Sequence, residues 1–196
     1  TRVRSSAASD VYKRQIEAMA KEKGVTAAEL AYEILIENDG NNFIYAPLVN
    51  YADHTFGVCK KMLDDKNAIM GLGDGGAHVG FILDAGYPTW LISYWSIKEK
   101  AFSMEETVRR LTSDTANATG LKDRGLLKVG LKADINIIDW ENVGSSDPFM
   151  TQDLPAGGKR LMQHTTGYVT TIVSGVVTYK NGKFTKERPG TVVKSV

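Results

Sequence analysis

The feature that most restricts this chain is a short apolar run, residues 68–72, that passes straight into Gly71-Leu72-Gly73-Asp74-Gly75-Gly76-Ala77-His78. The run is too short to build a helix, and its bounds and apolar content read as a strand buried on both faces. Strands of that kind belong to parallel sheets covered by helices. Residues 42–50, with Phe43, Ile44, Tyr45, Leu48 and Val49, read as an earlier strand, and residues 52–63 as a helix between the two. Strand, helix, strand is the repeating unit of an α/β layer. Glycines on both sides of an aspartate let backbone and ligand approach closely, because no Cβ intervenes. The same residues also fit a plain Asp-Gly turn.

The flanking segments extend the pattern. Ile16, Met19, Ala20 and Lys23 recur at helical spacing until Gly24. Thr26 and Glu29 have capping-box spacing, with Leu30, Ala31, Ile34 and Leu35 as the buried stripe of the helix that follows and Asp39-Gly40 as its stop. Residues 89–119 read as helical, with a second box at Ser103-Met104-Glu105-Glu106, and the aromatics Trp90, Tyr94, Trp95 and Phe102 at core spacing. Beyond Gly120 the texture becomes alternating and β-branched, at residues 134–140, 169–173 and 176–179. Asn181-Gly182 signals a two-residue hairpin, since both turn positions want positive φ. The division expected is 1–15, 16–120 as an α/β region, and 121–196 as a small β-rich domain and tail.

Residues 1–15 (TRVRSSAASDVYKRQ) are basic and rich in Ser and Ala, without the apolar stretch of a secretory signal. They resemble non-native leaders found at the ends of metagenomic gene predictions; a genuine basic arm is the alternative. On the first reading the natural protein continues upstream and this chain is a fragment. With 23 acidic and 24 basic residues, the chain makes no case for nucleic acid or a charged membrane surface. Nor does any apolar run approach the roughly 18–20 residues of a membrane span. A single cysteine, Cys59, excludes an internal disulfide framework and suits a cytoplasmic protein. Its predicted place is inside a helix, as a core thiol.

Five further stretches carry a resemblance. Gly130-Leu131-Lys132-Ala133-Asp134-Ile135 is followed by Asn136-Ile137-Ile138-Asp139. Before it stand residues 112–120 (TSDTANATG) and Leu121-Lys122-Asp123-Arg124-Gly125; after it come Asp153-Leu154-Pro155-Ala156-Gly157-Gly158 and Ile172-Val173-Ser174-Gly175-Val176-Val177. With the Asp74 stretch at the front, this succession resembles the C-terminal half of N-acyl-D-amino-acid deacylases (D-aminoacylases) of the amidohydrolase superfamily. The resemblance implies the C-terminal part of a metal-dependent (β/α)8 TIM-barrel hydrolase plus a small β-rich domain. It implies one or two divalent metals, usually zinc, and a small-molecule acyl-amide substrate cut at a C–N bond other than a peptide bond. Asp74 matches the catalytic aspartate at the end of the last barrel strand and lies at the family's metal centre. Gly75, Gly76 and His78 match substrate-facing positions; for His78 a structural loop histidine is the other reading.

Two departures stand beside these matches. A catalytic zinc needs about three protein ligands, yet the histidines are His54, His78 and His164, with no His-x-His pair. This chain alone is therefore expected not to assemble the metal site and to be inactive by itself. Where D-aminoacylases carry an arginine after a proline, the sequence reads Tyr87-Pro88-Thr89. A threonine hydroxyl supplies neither the charge nor the fork of an arginine that grips a carboxylate, so another cyclic or linear amide stays open. A reading from a different class is a self-contained, non-catalytic α+β binding or scaffold domain, with residues 73–78 simply a loop. Deleting residues 1–15 should leave the thermal midpoint unchanged, because the segment offers no apolar face to bury. A drop of several degrees on deletion would show that it is part of the fold.

Overall fold

The structure is a computed structural model that describes residues 15–45, 49–51, 53, 55–72 and 76–193. Helix α1 (Ile16–Lys23) stops at Gly24, whose φ is 69°. Helix α2 (Ala27–Gly40) opens on the capping box read from the sequence: Glu29 N donates to Thr26 Oγ1 at 3.2 Å, and Thr26 N donates to Glu29 Oε2 at 2.8 Å. Ala20 and Leu30 are buried where the two helices meet. The predicted stripe is only partly realised, because Leu35 is 44% exposed. With just eight residues, α1 covers the first turns of α2 and little beyond them. The helical geometry fails at Glu37, and Asn38 and Asp39 take φ of 54° and 56°. There the Asn42 amide turns back to donate to the Ile34 carbonyl at 3.1 Å.

A second helical group is built around aromatic rings. It comprises α3 (Gly57–Asp64), α4 (Tyr87–Trp90) running into a π-helix (Leu91–Lys98), α5 (Met104–Leu111) and α6 (Ser113–Ala118). The π-helix widens because Glu99 N reaches back to the Tyr94 carbonyl, five residues earlier, at 2.8 Å. That register turns Leu91, Ile92, Tyr94 and Trp95 into the interior together. Phe56, just ahead of α3, is their common neighbour, 5.0 Å from Tyr51, 5.5 Å from Tyr94 and 6.3 Å from Trp95 between ring centroids. Edge-on and tilted pairs of this kind add about 0.5–1.5 kcal/mol each beyond the area they bury. Phe102 seals the far side, with the Arg110 guanidinium 4.3 Å over its ring. The same guanidinium donates to the Leu63 carbonyl at 2.6 Å, tying α5 to the end of α3. Ser103 caps α5 by accepting from Glu106 N at 3.2 Å, but the reciprocal arm of the predicted box is missing. The Glu106 carboxylate faces Arg110 instead, at 2.7 Å.

From residue 135 onward the chain is antiparallel. Strands β1 (Ile135–Ile138), β6 (Tyr168–Val173), β7 (Val176–Lys180) and β8 (Lys183–Phe184) form one sheet in the order β1-β6-β7-β8. β2 (Gly144–Ser145) pairs with β5 (Thr165–Thr166), and β3 (Phe149–Leu154) with β4 (Gly158–Met162). Asn181-Gly182 forms the predicted hairpin, with φ of 49° and 74°. The β3–β4 hairpin had no turn signal read for it; its chain reverses through a single turn at Pro155–Gly157. Asp134 joins the region together: its carboxylate accepts from Ser174 N at 2.8 Å and faces Arg124 at 3.3 Å.

The α/β class holds, as helices and sheet in one chain, but the two strands first read from the sequence do not form over their described residues. Residues 42–45 and 68–72 are irregular, and no parallel pair occurs among the described residues. A strand keeps its backbone N–H and C=O groups paired only beside another strand, and none lies next to either segment. Several of their apolar side chains stay in solvent, Tyr45 64% exposed and Ile69 51%, while Met70 packs against the aromatic cluster. The barrel assignment therefore draws no support from strand pairing here.

The tightest point of the fold is Gly167, at the entrance to β6. Its φ is +83°, and a Cβ there would come within 2.8 Å of Val143 N and Cα and 2.9 Å of the Asp139 carbonyl oxygen. Asp139 N also donates to the Gly167 carbonyl at 2.7 Å, so the two backbones cannot separate without losing that bond. Gly167→Ala should cost about 1–3 kcal/mol through overpacking and strained backbone. Chemical denaturation measures this; an unchanged midpoint would mean that the contact relaxes freely.

Candidate functional site

The candidate site is the glycine-rich stretch and the turns that follow it. Asp74 and Gly75, and His54 elsewhere in the chain, lie outside the described residues. Gly76 and His78 are described. Gly76 has φ of +88° with no atom within 4 Å of a Cβ built there, so its demand for glycine is conformational. His78 is itself left-handed, with φ of 50°. This conformation directs its carbonyl to two amides, Phe81 N and Ile82 N, both at 2.9 Å. The imidazole is exposed and lies 5.1 Å from the Phe81 ring, tilted by 32°. A histidine presented this way can donate or accept a hydrogen bond at the surface of the turn.

The chain then proceeds by bonded turns. Tyr87 N donates to the Asp84 carbonyl at 3.1 Å, and Trp90 N to the Gly86 carbonyl at 3.0 Å. Pro88, within the first turn of α4, fits a position where an amide N–H would have no helical partner. Thr89, the residue where the sequence lacks an arginine, is buried, 4% exposed, and its hydroxyl lies 2.9 Å from the Tyr168 hydroxyl. The residue following Pro88 is thus committed to a contact with the sheet.

Several other titratable side chains are engaged in packing or local contacts. Burial, reinforced by the Glu99 carboxylate, pushes the Tyr94 hydroxyl up to about 12. Burial also raises the Cys59 thiol, which sits in α3, half-buried against the aromatic cluster as the sequence predicts. A raised thiol pKa disfavours the reactive thiolate. His164 holds Ser146 through its backbone, Ser146 N to the His164 carbonyl at 2.8 Å, and rests its ring 4.7 Å from Phe149. A cleft of about 330 Å³ opens elsewhere, between Leu121, Arg124, Lys132 and Val192. Arg124 is engaged there by Asp123 at 2.9 Å and Asp134 at 3.3 Å, and the Arg124 hydrogen bond holds the Asp123 carboxyl below its ordinary range. Sequence reasoning did not single out Thr89 and Tyr168 as a pair; their separation of 79 residues leaves no local pattern to find.

No group of three His, Cys, Asp or Glu side chains able to hold a metal occurs among the described residues. The donors described here do not fit a metal centre by themselves. Among the described residues, too, no helix is long and apolar enough to cross a membrane.

With this geometry in place, comparison with known proteins gives the class. The sequence matches the pattern of the Amidohydrolase family over residues 2–179, and the chain belongs to that family. The match begins inside the segment read as a leader. Members of the family generally use divalent metals. A dihydroorotase of Lactobacillus acidophilus is 34% identical over 89 residues, which cover 43% of this chain and 20% of that protein. The chain thus spans about a fifth of the length of the curated relative it matches. No solved structure matches.

Given the donor set, the 196-residue chain should retain no stoichiometric zinc after dialysis. Metal analysis by mass spectrometry checks this, and one tightly held zinc per chain would contradict it.

Proposed function

We propose that this chain is the C-terminal part of a cytoplasmic amide hydrolase that cleaves C–N bonds other than peptide bonds. In this reading residues 16–120 supply the last strands and helices of a (β/α)8 barrel, and residues 121–196 the small β-rich domain. The single observation that carries the proposal is the family match over residues 2–179. The metal is divalent, zinc by resemblance to the D-aminoacylases, and most of its ligands come from outside the described residues. By itself the chain is inactive.

Asp74 is the residue proposed to carry the chemistry, and to contribute to the metal centre in the longer protein. Amide hydrolysis needs a base to take a proton from water and an acid to protonate the departing amine, and one carboxylate can do both in turn. Gly75 and Gly76 allow the substrate to approach the backbone, and His78 offers a hydrogen bond at the edge of the site. The substrate is a small acyl amide. The burial of Thr89 against Tyr168 supports a substrate that is not gripped by a carboxylate fork at that position. The dihydroorotase relative favours a second reading, a substrate resembling dihydroorotate. Neither reading involves nucleic acid or membrane.

In the longer protein, Asp74→Asn keeps the shape of the side chain and removes the base. The kcat should fall by at least about 10²-fold, the lower end of general acid–base contributions. Steady-state kinetics together with metal analysis make the test. Activity within a few-fold of the parent, at normal metal content, would remove Asp74 from the catalytic role.

A further inference from the structure

The segment that bears His78 is held from outside by the antiparallel part of the chain. Val79, next to His78, accepts at its carbonyl from Leu161 N at 2.8 Å. Leu161 lies opposite Met150 in the β3–β4 hairpin, so this N–H points away from β3 and serves the segment instead. At the far end, the buried Thr89 hydroxyl meets Tyr168 Oη at 2.9 Å. Between the two anchors the chain consists of closed turns, His78 to Ile82, Asp84 to Tyr87 and Gly86 to Trp90. Fixing both ends of such a run fixes what lies within and beside it. Tyr168 is well placed to serve as an anchor. It opens β6, the strand between β1 and β7, and pairs with Ile138 of β1.

We infer that Thr89 and Tyr168 are positioning residues: their paired hydroxyls set the segment 76–89, and with it Gly76 and His78, against the sheet. This rests on the proposed reading of that segment as the edge of a substrate site. Neither side chain needs to touch substrate. Their effect passes through the backbone turns that end at His78.

Hydrogen–deuterium exchange on the 196-residue chain tests the inference without turnover, so its failure and a failure of the hydrolase reading are separate results. Tyr168→Phe and Thr89→Val each remove one hydroxyl at nearly constant volume. Each should raise exchange in residues 76–89 by about 2- to 12-fold, the effect of one net hydrogen bond. Exchange in residues 170–180 should stay unchanged. The double variant should add nothing to either single one, because both break the same bond, and Thr89→Ser should retain the protection. Unchanged exchange in residues 76–89, full additivity, or an equal rise across the whole chain would each overturn the inference. Should Thr89→Val fail to fold, Tyr168→Phe and Thr89→Ser decide the matter.

Discussion

Every ordered part of this chain depends on where its backbone hydrogen bonds can go. A buried or extended backbone that finds no partner for its N–H and C=O groups costs free energy comparable to the bonds it lacks. Helices meet the demand within themselves and hairpins with the next few residues. A parallel strand meets it only with a strand brought from elsewhere by a crossover. The antiparallel half follows the second route, since β3–β4, β6–β7 and β7–β8 are all neighbours in sequence. β1 and β2 must wait for distant partners, β6 and β5, and the Asp134 bond to Ser174 N sets where β1 enters. Residues 42–45 and 68–72 have the composition of strands but no strand partner among the described residues, and they remain irregular, with Ile44, Tyr45, Ile69 and Leu72 exposed.

The same division decides what could be read from the sequence. The capping box at Thr26 and Glu29, the core role of Trp90, Tyr94, Trp95 and Phe102, and the Asn181-Gly182 turn all depend on residues close together in the chain. Each appears as read. What failed depended on missing or competing partners, or on turn residues without a usual signature. Leu35 lies on the right face of its helix, but no second helix extends far enough to cover it. Glu106 has the spacing of a cap residue, but Arg110 competes for its carboxylate one turn later. The β3–β4 reversal at Ala156 and Gly157 uses left-handed residues without an Asn-Gly signature. In the candidate site, Gly76 was read as allowing close approach, whereas its φ of +88° in open space makes the demand for glycine conformational; the Thr89–Tyr168 contact was not legible, because nothing local encodes it.

Family membership gives the unpaired segments a rationale. The motif around Asp134, which carried much of the resemblance, has a plain structural task in this chain, holding the start of β1 to the Ser174-Gly175 turn through the Asp134 carboxylate and through Gly175 N to the Ala133 carbonyl at 2.9 Å. The small β-rich part is therefore locally complete. The part before it has an aromatic core centred on Phe56 but leaves its strand-like segments without a sheet. On the proposed reading, the remainder of a longer hydrolase supplies that sheet. The run that ends at Asp74 would then be fixed by ladder bonds on both sides, and the segment after it by the contacts at Val79 and Thr89.

The proposed function implies that residues 68–72, irregular in this chain, become a strand beside partners supplied by a longer hydrolase. Backbone hydrogen exchange at these residues tests it directly, compared between this chain and a longer polypeptide that provides the neighbouring strands. The account predicts rapid exchange in this chain and protection in the longer one, since ladder bonds slow exchange and solvated backbone does not. Strong protection in the 196-residue chain by itself, or rapid exchange in both, would contradict it.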